Sequence, residues 1–426
     1  MSSRPLDVNV WQRGVPLYRE RVWTFPMYVL IMIALVGLTI AGIRLVKGLG
    51  SFSGMTDLYA WGIWKTFNVM TLTALGSGGL AVGVATWIFN RTRLHVVMRT
   101  AMLTSLVLYS TGLLGILIDI GRPWNAYHML IPTHWNLHSA MFEIMVCMPL
   151  YACVFLAFEN VPTILARISY TGGPKWRARA DAITLVLRRI YPIMVAGAYL
   201  LPLMHQSSLG ALLLSAGPKI HPLWQSQLLP LLYVLQAGIC GFAFVILALL
   251  ASCTFWRRPL DREVLSELGR AMGLLTLVWA VIRIADVAYR GRMVDAFSLD
   301  FYSVLFLSEF LLTLIPAILL LAPEARKDPR TLFNLSLLIA ISGMAYRFIP
   351  TTIAYRLHAS TLYFPTVAEL TVAVGLIAIA IIGYLIAVKR FGVLPAPLTE
   401  WYGLMRFTRE QQASDGAQPN DHKDHH

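Results

Sequence analysis

Charge is scarce in this sequence. Only 13% of its 426 residues are Asp, Glu, Lys or Arg, and 57% are hydrophobic; a soluble domain carries about 25% charged residues. So much apolar material cannot be hidden in a soluble core, so lipid must be the solvent for most of the chain. Cysteine is scarce as well: Cys147, Cys153, Cys240 and Cys253 lie in apolar stretches and form no C-x-x-C pair. Iron–sulfur clusters need grouped thiolates, so none is expected. The four thiols read as small buried apolar residues rather than metal ligands or a disulfide. Acidic residues are outnumbered, 22 against 35 Lys and Arg, for a net charge of +13. The cations fall in short bursts between apolar runs of about twenty residues, as membrane-protein loops do, which argues against nucleic acid as the partner. No internal repeat stands out, which counts against a transporter built from duplicated halves. No small-residue cleavage site follows the first apolar run, so a retained helix is expected there rather than a signal peptide.

What is present is a series of ten apolar windows long enough to span a bilayer, near 23–46, 61–89, 97–119, 139–158, 190–205, 229–253, 268–289, 301–321, 331–350 and 366–388. The expected fold class is therefore all-α: a polytopic transmembrane helical bundle of about ten spans. An even count puts both termini on one side. Most Lys and Arg fall on the side of the termini, in bursts such as Arg91, Arg93 and Arg99, Arg167 to Arg189, Arg257, Arg258 and Arg262, and Arg326, Lys327 and Arg330. By the positive-inside rule both termini are cytoplasmic. The expected organisation is a cytoplasmic segment 1–22, a membrane domain 23–388 and a cytoplasmic polar tail 389–426, disordered beyond about 400. The outer loops 119–138, 206–228 and 351–365 hold few charges but many aromatics, Pro and His, which suits the membrane interface or a docked partner.

Ionisable groups inside a span are costly unless paired or wetted, so each is a functional candidate. They are Glu143 near the outer end of the fourth span, His205 at the end of the fifth, Arg283 and Asp286 in the seventh, Glu309 in the eighth, Arg347 in the ninth and Glu369 in the tenth. Tyr109 lies about three turns below Asp119 in the third span. Arg283 and Asp286, at i,i+3, are expected to pair on one helix face. Glu143 and His205 have no partner in their own helices; they either satisfy each other across helices or handle protons or a ligand. Lys65 and Asn68 read as snorkelling residues, and Gly76, Gly78, Gly79 and Gly83 as a close-packing face. Of the ten His, only His205 falls in an expected span. A bis-histidine haem needs two at matching depth, so no haem is expected and any electron carrier should be diffusible and lipid-soluble.

Several strings form a pattern: Trp61-Gly62-Ile63-Trp64, Asp119-Ile120-Gly121-Arg122-Pro123-Trp124, Phe142-Glu143, Met204-His205-Gln206-Ser207-Ser208-Leu209-Gly210, His221-Pro222-Leu223-Trp224-Gln225, Asp300-Phe301-Tyr302-Ser303 and Tyr363-Phe364-Pro365-Thr366. In this order and spacing, from about residue 46 to 388, the sequence resembles the NrfD/PsrC-type membrane anchors, and within them the HybB-type membrane subunits of Ni/Fe hydrogenases. The resemblance implies a haem-free subunit that exchanges electrons with menaquinone or ubiquinone in the bacterial inner membrane. Its partners would be an iron–sulfur, ferredoxin-like subunit on the periplasmic face and a large catalytic subunit, the hydrogenase. It further implies that Tyr109, Glu143 and His205 serve quinone and proton handling. Asp119, Arg122, Trp124, His221 and Trp224 would belong to loop signatures that position the loops or dock the partner. Arg283, Asp286, Glu309 and Arg347 are left as structural ion pairs or a proton path. The sequence departs from the hydrogenase members at Asn68 and Ala248, where carboxylates are frequent, and this counts against proton pumping and against a hydrogenase in particular. Two rival readings stand beside the anchor: a secondary transporter or proton channel using the same intramembrane residues, and an anchor whose polar groups only hold helices together.

Overall fold

A computed structural model describes residues 21–56, 59, 61–171, 173–258, 261–355 and 363–394. The expected N-terminal segment (but for its last two residues), the polar tail from 395 and the 356–362 stretch of an outer loop lie outside the described residues.

Among the described residues nine helices are long and apolar enough to cross a membrane, and a tenth passes when its two bent arms are taken together. In chain order they are α1 (Phe25–Lys47), α2 (Trp64–Ile88), α3 (Thr92–Asp119), α4 (Phe142–Ile168), α5 (Pro174–Ser215), α6 (Leu229–Phe255), α7 (Arg262–Tyr289), α8 (Phe301–Leu319), α9 (Pro329–Ile353) and α10 (Val367–Arg390). The expanse of apolar surface left outside the bundle, as at Phe25, Met32, Ile193 and Val281, is what a bilayer covers. The chain is a multi-pass helical membrane protein. Only an isolated bridge, Ile220 to Tyr355, pairs extended backbone among the described residues.

Four of the helix starts carry side-chain caps. Asp261, Asp300 and Asp328 accept from the first free N–H groups of α7, α8 and the helix of α9, and Thr366 with Glu369 forms a capping box on α10. These caps satisfy donors that hydrocarbon could not. Glu369 is thus a capping group, which accounts for a carboxylate buried there.

The most enclosed helix is α2. It is also irregular, with π-turns over Trp64–Thr71 and Val84–Ile88 and a break at Gly76-Ser77. The glycine face does what its composition suggests. A Cβ on Gly78 would collide with Val245, one on Gly79 would lie 2.9 Å from Ser105 Oγ, and one on Gly83 2.6 Å from the Tyr199 ring. From the other side, a Cβ on Gly241 of α6 would fall 2.5–2.7 Å from the backbone of Ser77 and Gly78. Small residues thus let α3, α5 and α6 close directly on the α2 backbone. Gly37 of α1 and Gly375 of α10 make a similar backbone-to-backbone approach.

The fifth span departs furthest from its expected limits. The fifth window, 190–205, is part of α5, whose upper arm Ile193–Ser215 meets Pro174–Tyr191 at 59°. The break falls at Pro192, which has no N–H to continue the ladder. The helix continues through His205 to Ser215, so the Gln206-Ser207-Ser208 string, expected in an outer loop, is inside the bundle.

Candidate functional site

The end of the bundle that carries Asp119, Glu143 and Tyr289 is the one the charge pattern leads us to expect on the outside, and outer and inner are used below in that sense. His205 lies about 15 Å below the outer end of α5 at 1.5 Å per residue, and Tyr109 is equally far below Asp119. Both are fully buried. His205 Nε2 is 3.4 Å from Thr73 Oγ1 on α2, and the Tyr109 ring lies 5.6 Å from the imidazole. Gln206 Nε2 donates to Thr73 Oγ1 at 3.1 Å and to the Tyr109 hydroxyl at 3.2 Å, while that hydroxyl lies 3.4 Å from Ser77 Oγ. Thr73 and Ser77, one turn apart, present both hydroxyls from one face of α2.

Proton counting assigns the tautomer. Thr73 donates its hydroxyl hydrogen to Val69 O at 2.6 Å, so it can only accept from its other neighbours. His205 Nε2 must therefore carry a hydrogen, and in the neutral ring Nδ1 is a bare acceptor. Nδ1 and Gln206 Oε1 are both buried without a partner. A buried site with two spare acceptors has room in its bonding for a donor, such as a hydroxyl or a mobile proton. Glu143 does not pair with His205. It is half-buried and accepts from Ser208 Oγ, three residues farther along α5. Glu143 therefore stands about one α5 turn outward of the His205 cluster.

Arg347 sits beside this cluster at the centre of the bundle, fully buried. Its Nη1 donates to Met70 O and its Nη2 to Tyr233 O, both at 3.1 Å, and its guanidinium stacks 4.5 Å from the Tyr233 ring. Met70 lies in the π-turn of α2, where the shifted ladder leaves carbonyl oxygens turned toward neighbours.

The expected Arg283–Asp286 pair does not form. Arg283 instead makes a bidentate bridge to Glu309 on α8, at 2.5 and 2.8 Å, boxed by Trp279, Phe306 and Tyr346 at 4.5–4.9 Å. Asp286 takes Arg290 at i,i+4. The planar guanidinium fits a carboxylate fork across helices better than a short Asp along its own helix. Trp224 donates to Glu309 Oε2 at 3.3 Å, and His221 stacks on Tyr302 at 4.4 Å. Both are buried, so these side chains lock a loop onto the Arg283–Glu309 pair and do not reach out to a partner.

Asp119 also points inward, bridged to Lys65 at 3.2 Å with its side chain 8% exposed. The snorkelling reading of Lys65 and Asn68 is corrected on two counts: Lys65 is ion-paired, and Asn68 is fully buried with neither amide atom partnered. Arg122 and Trp124 remain on the outside, in the 3-10 loop with exposed Tyr127, His128 and Trp135. They are the loop-signature residues free to meet a partner.

A model of the family described as polysulphide reductase NrfD matches residues 52–355. The chain belongs to the NrfD family. This NrfD member is 38% identical over 356 residues to the "Probable Ni/Fe-hydrogenase 2 b-type cytochrome subunit" of Escherichia coli K12, covering 83% of the chain and 88% of the relative. It is 26% identical over 379 residues, 82% and 87% of the two chains, to the "Menaquinone reductase, integral membrane subunit" of Nitratidesulfovibrio vulgaris Hildenborough. A shorter match, 31% over 103 residues and 24% of each chain, is to a selenate reductase subunit of Mesobacillus selenatarsenatis. The word cytochrome raises the question of haem. His205 and His95, the described His residues within spanning helices, do not fit a bis-histidine b haem. His205 is near mid-membrane, whereas His95, which the structure brings into the first turn of α3, is at the opposite, inner end. No group of three or more His, Cys, Asp or Glu that could hold a metal occurs among the described residues.

Thr73, Ser77 and Gln206 were not singled out by the sequence as site residues. The signal was there, as hydroxyls at i,i+4 on the glycine face of α2 and a Gln beside an intramembrane His.

Proposed function

We propose that this chain is the quinone-reactive membrane subunit of a multisubunit respiratory oxidoreductase, in a bacterial inner membrane with its termini cytoplasmic. In this reading it passes electrons between an iron–sulfur, ferredoxin-like subunit docked on the periplasmic face and menaquinone or ubiquinone. A Ni/Fe hydrogenase large subunit is the catalytic partner that the sequence favours, in line with the Escherichia coli relative named above. The carrying observation is the buried His205–Gln206–Thr73–Tyr109 cluster with its two spare acceptors. Quinone chemistry needs two electrons and two protons at one place. His205 Nδ1, a bare acceptor, can receive a hydrogen bond from a quinol hydroxyl and so stands where a quinol proton would be passed on. Glu143, held by Ser208, supplies a carboxyl between the cluster and the outer surface, and Tyr109 extends the polar path inward. Arg122 and Trp124 belong to the docking face.

The test is quinone-dependent oxidation of the partner's substrate by the assembled complex in wild type, His205→Ala and Glu143→Ala. Loss of at least tenfold in turnover with the complex intact is expected. Full quinone activity in both variants would refute the site. The transporter reading gains one feature, the 59° bend of α5; a transporter would move its solute in the absence of any electron donor, which uptake into liposomes holding the assembled complex reports directly.

A further inference from the structure

At the inner end of the bundle a cavity of about 320 Å³ opens between α2, α3, α4 and α5, lined among others by Trp87, His95, Arg99, Glu159, Tyr191 and Tyr199. Glu159 is a carboxyl inside a spanning helix, about 25 Å below the outer end of α4, and the His205 cluster makes no use of it. Its Oε2 accepts from Tyr191 OH at 3.5 Å, and its Oε1 is buried without a hydrogen-bond partner. The other titratable groups facing the cavity are already engaged: His95 packs edge-on against Trp87 at 5.0 Å, and Arg99 donates to Gly392 O at 2.9 Å. Among the described residues no ion pair to Glu159 accounts for a carboxyl placed here, and an intramembrane carboxyl in a cavity is a proton-handling group by default.

From Glu159 a run of phenols leads outward. Tyr191 and Tyr199 line the same cavity, and Tyr151 stands about two turns outward of Glu159 on α4. Tyr199 sits in the space left by Gly83 on α2. Tyr151 is fully buried and meets Tyr109 edge-to-face at 4.7 Å, and Tyr109 is hydrogen-bonded to Gln206. We propose that the cavity is a proton-entry vestibule for the His205 cluster, with Glu159 as the group that takes protons from the inner aqueous phase. The inference rests on the quinone reading of that cluster. In the direction of quinone reduction, two electrons arrive from the outer iron–sulfur partner and two protons arrive through Glu159, Tyr151 and Tyr109, giving quinol. Opposite charges then enter from opposite faces, so turnover separates charge across the membrane without any carboxylate at positions 68 or 248. In the reverse direction quinol protons leave by the same route.

The complete complex, reconstituted in liposomes with a potential-sensitive dye, tests this. Wild type should build a membrane potential during quinone reduction. Glu159→Gln should lose the potential and at least tenfold of turnover, Glu159→Asp should restore part of both, and Tyr191→Phe should slow turnover a few-fold. Dicyclohexylcarbodiimide, which attacks carboxyls in apolar surroundings, should inhibit wild type with modification mapped to Glu159 by mass spectrometry. An assembled Glu159→Gln complex with wild-type turnover and potential overturns the vestibule. A wild-type complex without quinone turnover overturns the quinone reading instead.

Discussion

Replacing Glu309 by Ala should be among the most damaging single changes to the stability of this bundle. The side chains of Arg283 and Glu309 are 3% and 1% exposed, they meet through two hydrogen bonds, and three aromatic rings surround the guanidinium. Removing the carboxylate leaves an uncompensated charge among those rings, at a cost of about 3–5 kcal/mol. It also strands Trp224 Nε1, which adds about 1 kcal/mol for a lost hydrogen bond. Arg283→Met alone leaves Glu309 unpaired and should cost a similar amount. The double variant Arg283→Met/Glu309→Leu buries no charge and should fall within about 2 kcal/mol of wild type. Unfolding in mixed detergent micelles titrated with dodecyl sulfate gives the stabilities, and the cycle of wild type, Arg283→Met, Glu309→Leu and the double variant should show a coupling of at least about 3 kcal/mol. The reasoning fails if Glu309→Ala unfolds with wild type, or if the double variant loses the sum of the two singles.

Gly241→Ala should destabilise by about 1–3 kcal/mol, because its methyl group meets α2 backbone that cannot turn aside; the same unfolding titration measures it. Thr366→Ala removes the cap of α10 and a hydrogen bond to Phe52 O, for about 1 kcal/mol; faster hydrogen exchange confined to the first turn of α10 is the signature. Asp300 and Asp328, outside the spans, are held below the usual carboxylate range, Asp300 by the Ser303 backbone N–H and Asp328 by the Thr331 side chain and N–H. A depressed carboxyl contributes stability that is present above its unfolded pKa of about 4 and lost as pH falls through the lower folded value. Asp300→Ala/Asp328→Ala should therefore flatten the acid limb of a stability–pH curve, and an unchanged acid limb would count against these caps.

The spans were legible in the sequence because lipid imposes a length and an apolarity that little else in a protein requires. The fourth span runs ten residues past its expected inner limit, to Ile168, and α5 departs furthest, for a specific reason. Gln206 and Ser208 look like a helix end until their partners on α2, α3 and α4 are known, since hydrogen bonds to Thr73, Tyr109 and Glu143 let a polar stretch stay inside the bundle. The same limit explains the Arg283 error. Spacing along one helix reveals i,i+3 neighbours, whereas the partner, Glu309, comes from the next helix. His205 and Tyr109 could be singled out in the sequence because ionisable or phenolic groups stand out in apolar runs. Thr73 and Ser77 did not stand out, because hydroxyls in helices ordinarily bond their own backbone.

The central claim, that the His205 cluster is where quinone reacts, is tested most directly by photolabelling. An azido-quinone irradiated with the intact complex, then mapped by mass spectrometry, should mark α2, α3 and α5 around Thr73, Tyr109 and His205, and excess quinone should suppress the label. Label confined to α7, α8 and α9, with none on α5, would contradict the account.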